Sequence, residues 1–246
     1  MKLRELSTIS EKELLRTRIC DLEVTLNQTP IMRGINDLYF ELNSNLINFI
    51  PKIWISTDWF SPDGVSGFAI PFYLIHPRLT ELEFRNTGLV EGNTYKTLMQ
   101  LLRHETGHAI DNAYHLRKSK KRQSLFGLSS TKYPTSYLPV AGNRNHVRHL
   151  EEFYAQAHPD EDWAETFAVW LDPKSNWKNK YQSWNAIHKL NFVNDQMKSL
   201  EGKVQVSHKL NEVDSISKDT RTINDYYKEK RKQLKLNRRS IVEKVD

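Results

Sequence analysis

Apolar positions change their spacing several times along the chain, and each change marks a predicted element. Ser10 and Glu13 have capping-box spacing ahead of LLRTRICDL, which predicts a helix. Thr29 and Pro30 have the residue types of an N-cap and a first helical position, so a second helix is expected through about residue 44. The segment FIPKIWISTDWFSPDGVSGFAIPFYLIHPRLTELEF is rich in Ile, Phe, Trp and Tyr and is interrupted by Ser61-Pro62-Asp63-Gly64; it predicts two or three short strands about a turn. From Thr94 to about Arg117, Leu98, Leu101, Leu102, Ala109 and Ala113 recur mostly at three- and four-residue steps, the period of a helix with one buried face.

A long loop follows, QSLFGLSSTKYPTSYLPVAGNRN. The next two segments, HVRHLEEFYAQAH and PDEDWAETFAVWL, are both expected to be helical, the second opening on Pro159. A further helix is expected over Trp184 to Leu200. After Gly202 the composition turns polar and charged, which sets an expected boundary: a single domain over residues 1–202 with a helical N-terminal portion, then a basic tail over 203–246, helical or flexible. Helices around a small mixed sheet make this an α+β fold.

Composition narrows the setting. With 246 residues and 38% hydrophobic positions the chain can bury a substantial core. The lone cysteine, Cys20, can form neither an internal disulfide nor a cysteine-based metal site, and it fits a reducing, cytoplasmic compartment. No segment approaches the roughly 20 apolar residues that span a bilayer, so no membrane partner is expected. The net charge of +6 gathers near YYKEKRKQLKLNRR, which is read as a solvated face; a nucleic-acid partner is not expected.

Candidate chemistry lies in LLRHETGHAIDNAYH. His104 and His108 are four apart on one face of the predicted helix and can aim both imidazoles at one ion, with Glu105 beside them within reach of a water on that ion. The flanking Leu101, Leu102, Ala109 and Ile110 make this helix partly buried, where two unpaired histidines would be costly. A catalytic zinc needs a third protein ligand. A histidine six residues after His108 would supply it, but that position is Tyr114. Asp111 and His115 share the face of His108 and are expected to support the ligands from behind or to cap the helix. Glu161 and Glu165 are better placed as a source of the third ligand. They are four apart on an otherwise apolar helix, where one can bind the ion and the other can accept the free ring N–H of a ligating histidine. Two histidines and a carboxylate make zinc the first choice over manganese, cobalt or iron.

Together these residues resemble the zincin metallopeptidases of the gluzincin type, in which a second helix bearing Glu-x-x-x-Asp/Glu completes the site. The blocks FSPDGVSGFAIPFYLIHPRL, LLRHETGHAID and VRHLEEFYAQAHPDEDWAETFAVWL are similar to the bacterial "putative zinc-binding metallopeptidase" family, and more distantly the helix pair resembles the anthrax lethal factor catalytic domain and the regulatory peptidase MtfA. The resemblance implies a zincin-like fold and hydrolysis of peptide bonds with one zinc per chain. It also implies roles: Glu161 as ligand, Glu165 behind His104, and Glu105 as general base and acid. Tyr154 is implied as oxyanion stabiliser, being seven residues ahead of Glu161, with Tyr133, Tyr137, His146 and His149 as rivals. His158 is expected to make contacts at the helix entry. Gly67-Phe68-Ala69-Ile70 is implied as an edge strand that binds an extended peptide or protein substrate. The alternatives are a catalytically inactive, metal-stabilised binding module, or a peptidase localised by a nucleic-acid-binding tail.

Overall fold

The region with the clearest helical period folds as a 20-residue helix, and the rest of the chain is arranged around it. The computed structural model describes residues 2–207 and 209–242, with side chains described as far as Lys235. In chain order the helices are α1 (Leu3–Leu6), α2 (Glu11–Arg16), α3 (Met32–Ser44), α4 (Pro77–Thr87), α5 (Tyr95–Tyr114), α6 (Lys120–Phe126), α7 (Pro159–Leu171), α8 (Trp177–Lys180), α9 (Ala186–Lys198) and α10 (Ile223–Val242). Strands β1 (Lys52–Ser56) and β2 (Gly67–Pro71) lie between α3 and α4. The protein is thus mixed, mostly helical, with a small sheet.

The local signals at helix starts are largely realised. Ser10 and Glu13 form the capping box of α2, and Thr94 caps α5 through Thr97. Pro159 is the first residue of α7, whose N-cap is His158. The expected start at Thr29-Pro30 is displaced: the Thr29 hydroxyl donates to Leu26 O in a 3₁₀ turn, so α3 begins only at Met32. The segment 151–156 also departs from expectation. It is a 3₁₀ run in which Glu152 and Phe153 both have positive φ, so HVRHLEEFYAQAH does not form the helix its composition predicts.

β1 and β2 pair in parallel, Lys52 opposite Gly67 through Ser56 opposite Pro71. The connection between them folds back along the far side of β2, where Ala69 N donates to Phe60 O and Ser61 Oγ donates to Gly67 O. All five residues of β2 are buried. The stretch Gly67 to Ile70 is therefore not the open edge that the resemblance implies for peptide binding: its outer positions are taken by the chain's own residues 60 and 61. Asn112 of α5 fixes this turn, donating to Pro62 O and Val65 O and accepting from Gly64 N.

The boundary expected after Gly202 is also corrected. Val206 N and Ser207 N donate to Ala113 O at 2.8 and 2.9 Å, Ser66 N donates to Lys209 O, and Trp54 Nε1 donates to Val213 O. Ile216, Ile223, Tyr226 and Tyr227 are part of the main core. Before Ile216 the described part of this segment attaches largely through its own main-chain N–H and C=O groups, which leave its side chains free to be polar, so composition could not reveal the attachment there. The basic run expected as a tail begins within α10; its side chains from residue 236, and the backbone from residue 243, lie outside the described residues. Among the described residues no helix is long and apolar enough to cross a membrane.

The most extensive helix contact among the described residues is between α5 and α7. A Cβ on Gly107 would meet Ala164 Cα at 2.9 Å and its O at 3.2 Å, and Trp163 Nε1 donates to Gly107 O at 2.8 Å. Glycine costs a helix interior about 1 kcal/mol relative to alanine, and here it permits the approach. At the C-terminal end of α5, Asp111 accepts from Arg117 N, Arg117 Nε and Arg122 Nη2; the fully buried Arg122 also donates to Asp160 on α7. Asp111 therefore clamps α5, α6 and α7 together, where the sequence had led us to expect support for a ligand histidine or a helix cap.

Gly107→Ala should lower unfolding stability by about 1–2 kcal/mol, because overpacking against a backbone atom outweighs the gain in helix propensity. Equal or greater stability in urea would show that the helices are not held at this distance. Arg122→Ala should cost about 3–5 kcal/mol by leaving Asp111 and Asp160 buried with reduced compensation. An unchanged urea midpoint would remove the clamp from the account.

Candidate metal centre

The close packing of α5 on α7 places two turns of one helix opposite two turns of the other. His104 Nε2, His108 Nε2 and Glu161 Oε2 converge from the facing surfaces: the two nitrogens are 3.2 Å apart, and the oxygen is 3.1 Å from His104 and 3.3 Å from His108. Donors bound to one ion at about 2.0–2.1 Å in a tetrahedron lie about 3.3 Å from one another, so the triangle has the size a zinc ion needs. All three residues are buried or nearly so, and together they could hold a metal.

The protonation pattern fits the same conclusion. His104 Nδ1 is 2.9 Å from Glu165 Oε1, whose other oxygen accepts from Leu150 N at 2.9 Å. A carboxylate accepting at Nδ1 keeps a proton there in either charge state, so it is the Nε2 proton that must leave for a lone pair to face His108 and Glu161. Burial disfavours a charge on His104, but hydrogen bonds and charges from Glu161 and Glu165 outweigh it and raise its pKa well above the usual histidine value. Burial likewise opposes ionisation of Glu161, yet the facing histidines hold its carboxyl far below the usual range. The pocket thus favours positive charge between two carboxylates, the environment that a divalent cation satisfies.

Glu105, between the two histidines in sequence, is buried, and its Oε2 has no hydrogen-bond partner among the described residues. Burial raises its pKa, with the histidines pulling in the opposite direction. An orphaned carboxylate oxygen beside a triangle of donors is what a water on an ion in that triangle would complete.

The oxyanion candidates separate by their partners. The Tyr133 hydroxyl donates to Glu161 Oε1 at 2.8 Å, Tyr137 donates to Glu152 O, and His149 Nε2 is taken by Gln100 O. His146 Nε2 faces Asp162 at 3.8 Å, and burial together with the nearby Lys189 lowers its pKa to about 4. The Tyr154 ring lies 5.7 Å from that of His104. Burial plus the charges of Glu161 and Glu105 push its pKa up, so its hydroxyl stays a donor. His115 is the left-handed C-cap residue of α5 and lies outside the cluster. His158 makes the helix-entry contact expected of it, accepting from Asp160 N at Nδ1.

Sequence reasoning passed over two features at this site: the hydroxyl of Tyr133 on Glu161, which it weighed only as an oxyanion donor, and the Leu150 N–H on Glu165. The first had a signal in the aromatic-rich loop, whereas a backbone donor such as Leu150 has none.

Comparison with known proteins bears on this geometry directly. A search of curated proteins and of solved structures finds no match. The family model described as "putative zinc-binding metallo-peptidase" matches residues 83–227, which contain α5, α7 and every member of the donor triangle, and run past the boundary expected at Gly202. With most of the chain matched, including both helices that build the cluster, the protein belongs to the family so described, "putative zinc-binding metallo-peptidase".

Proposed function

We propose that the chain is a zinc-dependent peptidase with a zincin-type site, acting on a peptide or protein substrate in the reducing environment of the cytoplasm. The observation that carries the reading is the triangle of His104 Nε2, His108 Nε2 and Glu161 Oε2, with the buried Oε2 of Glu105 lacking a hydrogen-bond partner among the described residues. A zinc ion held there would lower the pKa of a water molecule and polarise a peptide carbonyl.

The chain's own residues supply the remainder. Glu105 lies near enough to both histidines for their charges to act on it, and its raised pKa suits a group that takes the proton of the attacking water and returns it to the leaving nitrogen. Tyr154, kept protonated, is the group we assign to hydrogen-bond the oxygen on which negative charge develops, a contribution of a few kcal/mol. Glu165 fixes the ring of His104, and Leu150 N fixes Glu165. Three protein ligands leave a fourth tetrahedral position for water, the arrangement of a catalytic rather than a closed structural site.

Two measurements test this. Metal analysis of the purified protein should find one zinc per chain, absent in Glu161→Ala and bound about 10–100-fold more weakly in Glu165→Ala. A wild-type protein that takes up no zinc would end the proposal. Glu105→Gln should retain the zinc and the fold while peptide hydrolysis falls at least about 100-fold. Wild-type turnover in that variant would exclude Glu105 as the base.

A further inference from the structure

The two oxygens of Glu161 have different partners. Oε2 faces His104 and His108, while Oε1 accepts the Tyr133 hydroxyl at 2.8 Å. Tyr133 comes from the long loop between α6 and α7, yet its ring is not loosely placed. It stacks on His158 with centroids 3.6 Å apart and planes 11° apart.

His158 is itself fixed. Its Nδ1 accepts from Asp160 N in the first turn of α7, so its Nε2 carries the proton donated to Thr131 O at 2.8 Å, two residues before Tyr133. The N-cap of the helix that carries Glu161 is therefore the platform on which Tyr133 rests. Helix, cap, loop and hydroxyl form a closed circuit, and the phenol oxygen is set relative to Glu161 by contacts independent of the hydrogen bond between them.

We propose that Tyr133 is a positioning residue that makes Glu161 a one-oxygen ligand, holding Oε1 aside so that Oε2 alone turns to the metal. The inference rests on the metal-centre reading above. A carboxylate released from such a hold can swing both oxygens onto one ion and occupy two positions, closing the site that a catalytic water requires. The hydroxyl also orients the carboxylate before binding, as hydrogen bonds to metal ligands generally do.

Tyr133→Phe removes the hydroxyl and keeps the ring on His158. The test uses the full chain stripped of metal and reloaded with zinc or cobalt(II). Wild type should take up one cobalt with the intense visible bands of a four-coordinate ion. Tyr133→Phe should lose roughly tenfold in zinc affinity by chelator competition, and its cobalt bands should weaken as a fifth ligand atom joins. A purely structural role in the loop would not change the cobalt spectrum. Unchanged affinity and spectrum in Tyr133→Phe, with a wild type that binds metal normally, would overturn the inference while leaving the metal centre standing. A wild type that binds neither ion would overturn both.

Discussion

The distance between α5 and α7 is the constraint on which the site depends, and Gly107 against Ala164 sets it. Ligand atoms on two separate helices must meet to within a few tenths of an ångström for a metal site to form, and side-chain rotamers offer only coarse adjustment. A methyl group at residue 107 would separate the helices at the turn between His104 and His108. The hydrogen bond from Trp163 to Gly107 O fixes the rotation of the pair as well as its separation, since a buried indole N–H needs a partner in one place. With spacing and rotation both fixed, Glu161 and Glu165 fall opposite His104 through geometry already settled in the core.

A second consequence follows for charge. α7 buries Asp160, Glu161, Asp162 and Glu165 within two turns, a concentration that would be unstable if these carboxylates lacked partners. Each is assigned a different one. Asp160 takes Arg122 and Ser129, and Asp162 takes Lys189 at 2.5 Å, although burial still pushes the Asp162 pKa up to about 7. Glu165 takes His104 and Leu150 N, while Glu161 faces the two histidines and Tyr133. Arginine and lysine compensate the first pair permanently. The second pair has only imidazoles, whose charge is conditional, and this difference in countercharge singles out the helix face bearing Glu161 and Glu165 as the one suited to a cation.

Much of this was legible in the sequence because it rests on local spacing. His104 and His108 share a helical face by their separation alone, and Glu161 and Glu165 follow the same rule on a helix whose start is announced by Pro159. Ser10 with Glu13 announced its cap equally well. What could not be read depends on groups that every residue carries. The strap after Gly202 is tied through its own backbone groups to Ala113 O, Ser66 N and the Trp54 indole N–H, and its polar side chains conceal it. The outer edge of β2 is covered by the main chain of Phe60 and the hydroxyl of Ser61, which period-two alternation does not encode. Asp111 was placed on the right face, but its partner Arg122 lies in another helix, and which cation reaches a buried carboxylate is decided by tertiary packing.

The segment before α7 extends the same reasoning to the site itself. EEFYAQ has the composition of a helix, but Glu152 and Phe153 adopt φ of 57° and 54°, and left-handed conformations at non-glycine residues cost of order 1–3 kcal/mol each. Surrounding contacts must outweigh that cost. On one side Leu150 N is hydrogen-bonded to Glu165, and on the other the Tyr154 ring lies beside His104 while Ala155 is buried. A continuous helix through 150–156 would satisfy Leu150 N or Tyr154 separately, but its rise of about 1.5 Å per residue along one axis would give the chain no way to bend around His104. The left-handed pair provides the bend, and the same two residues thereby let one short segment bring both the Leu150 N–H to Glu165 and the Tyr154 ring to His104.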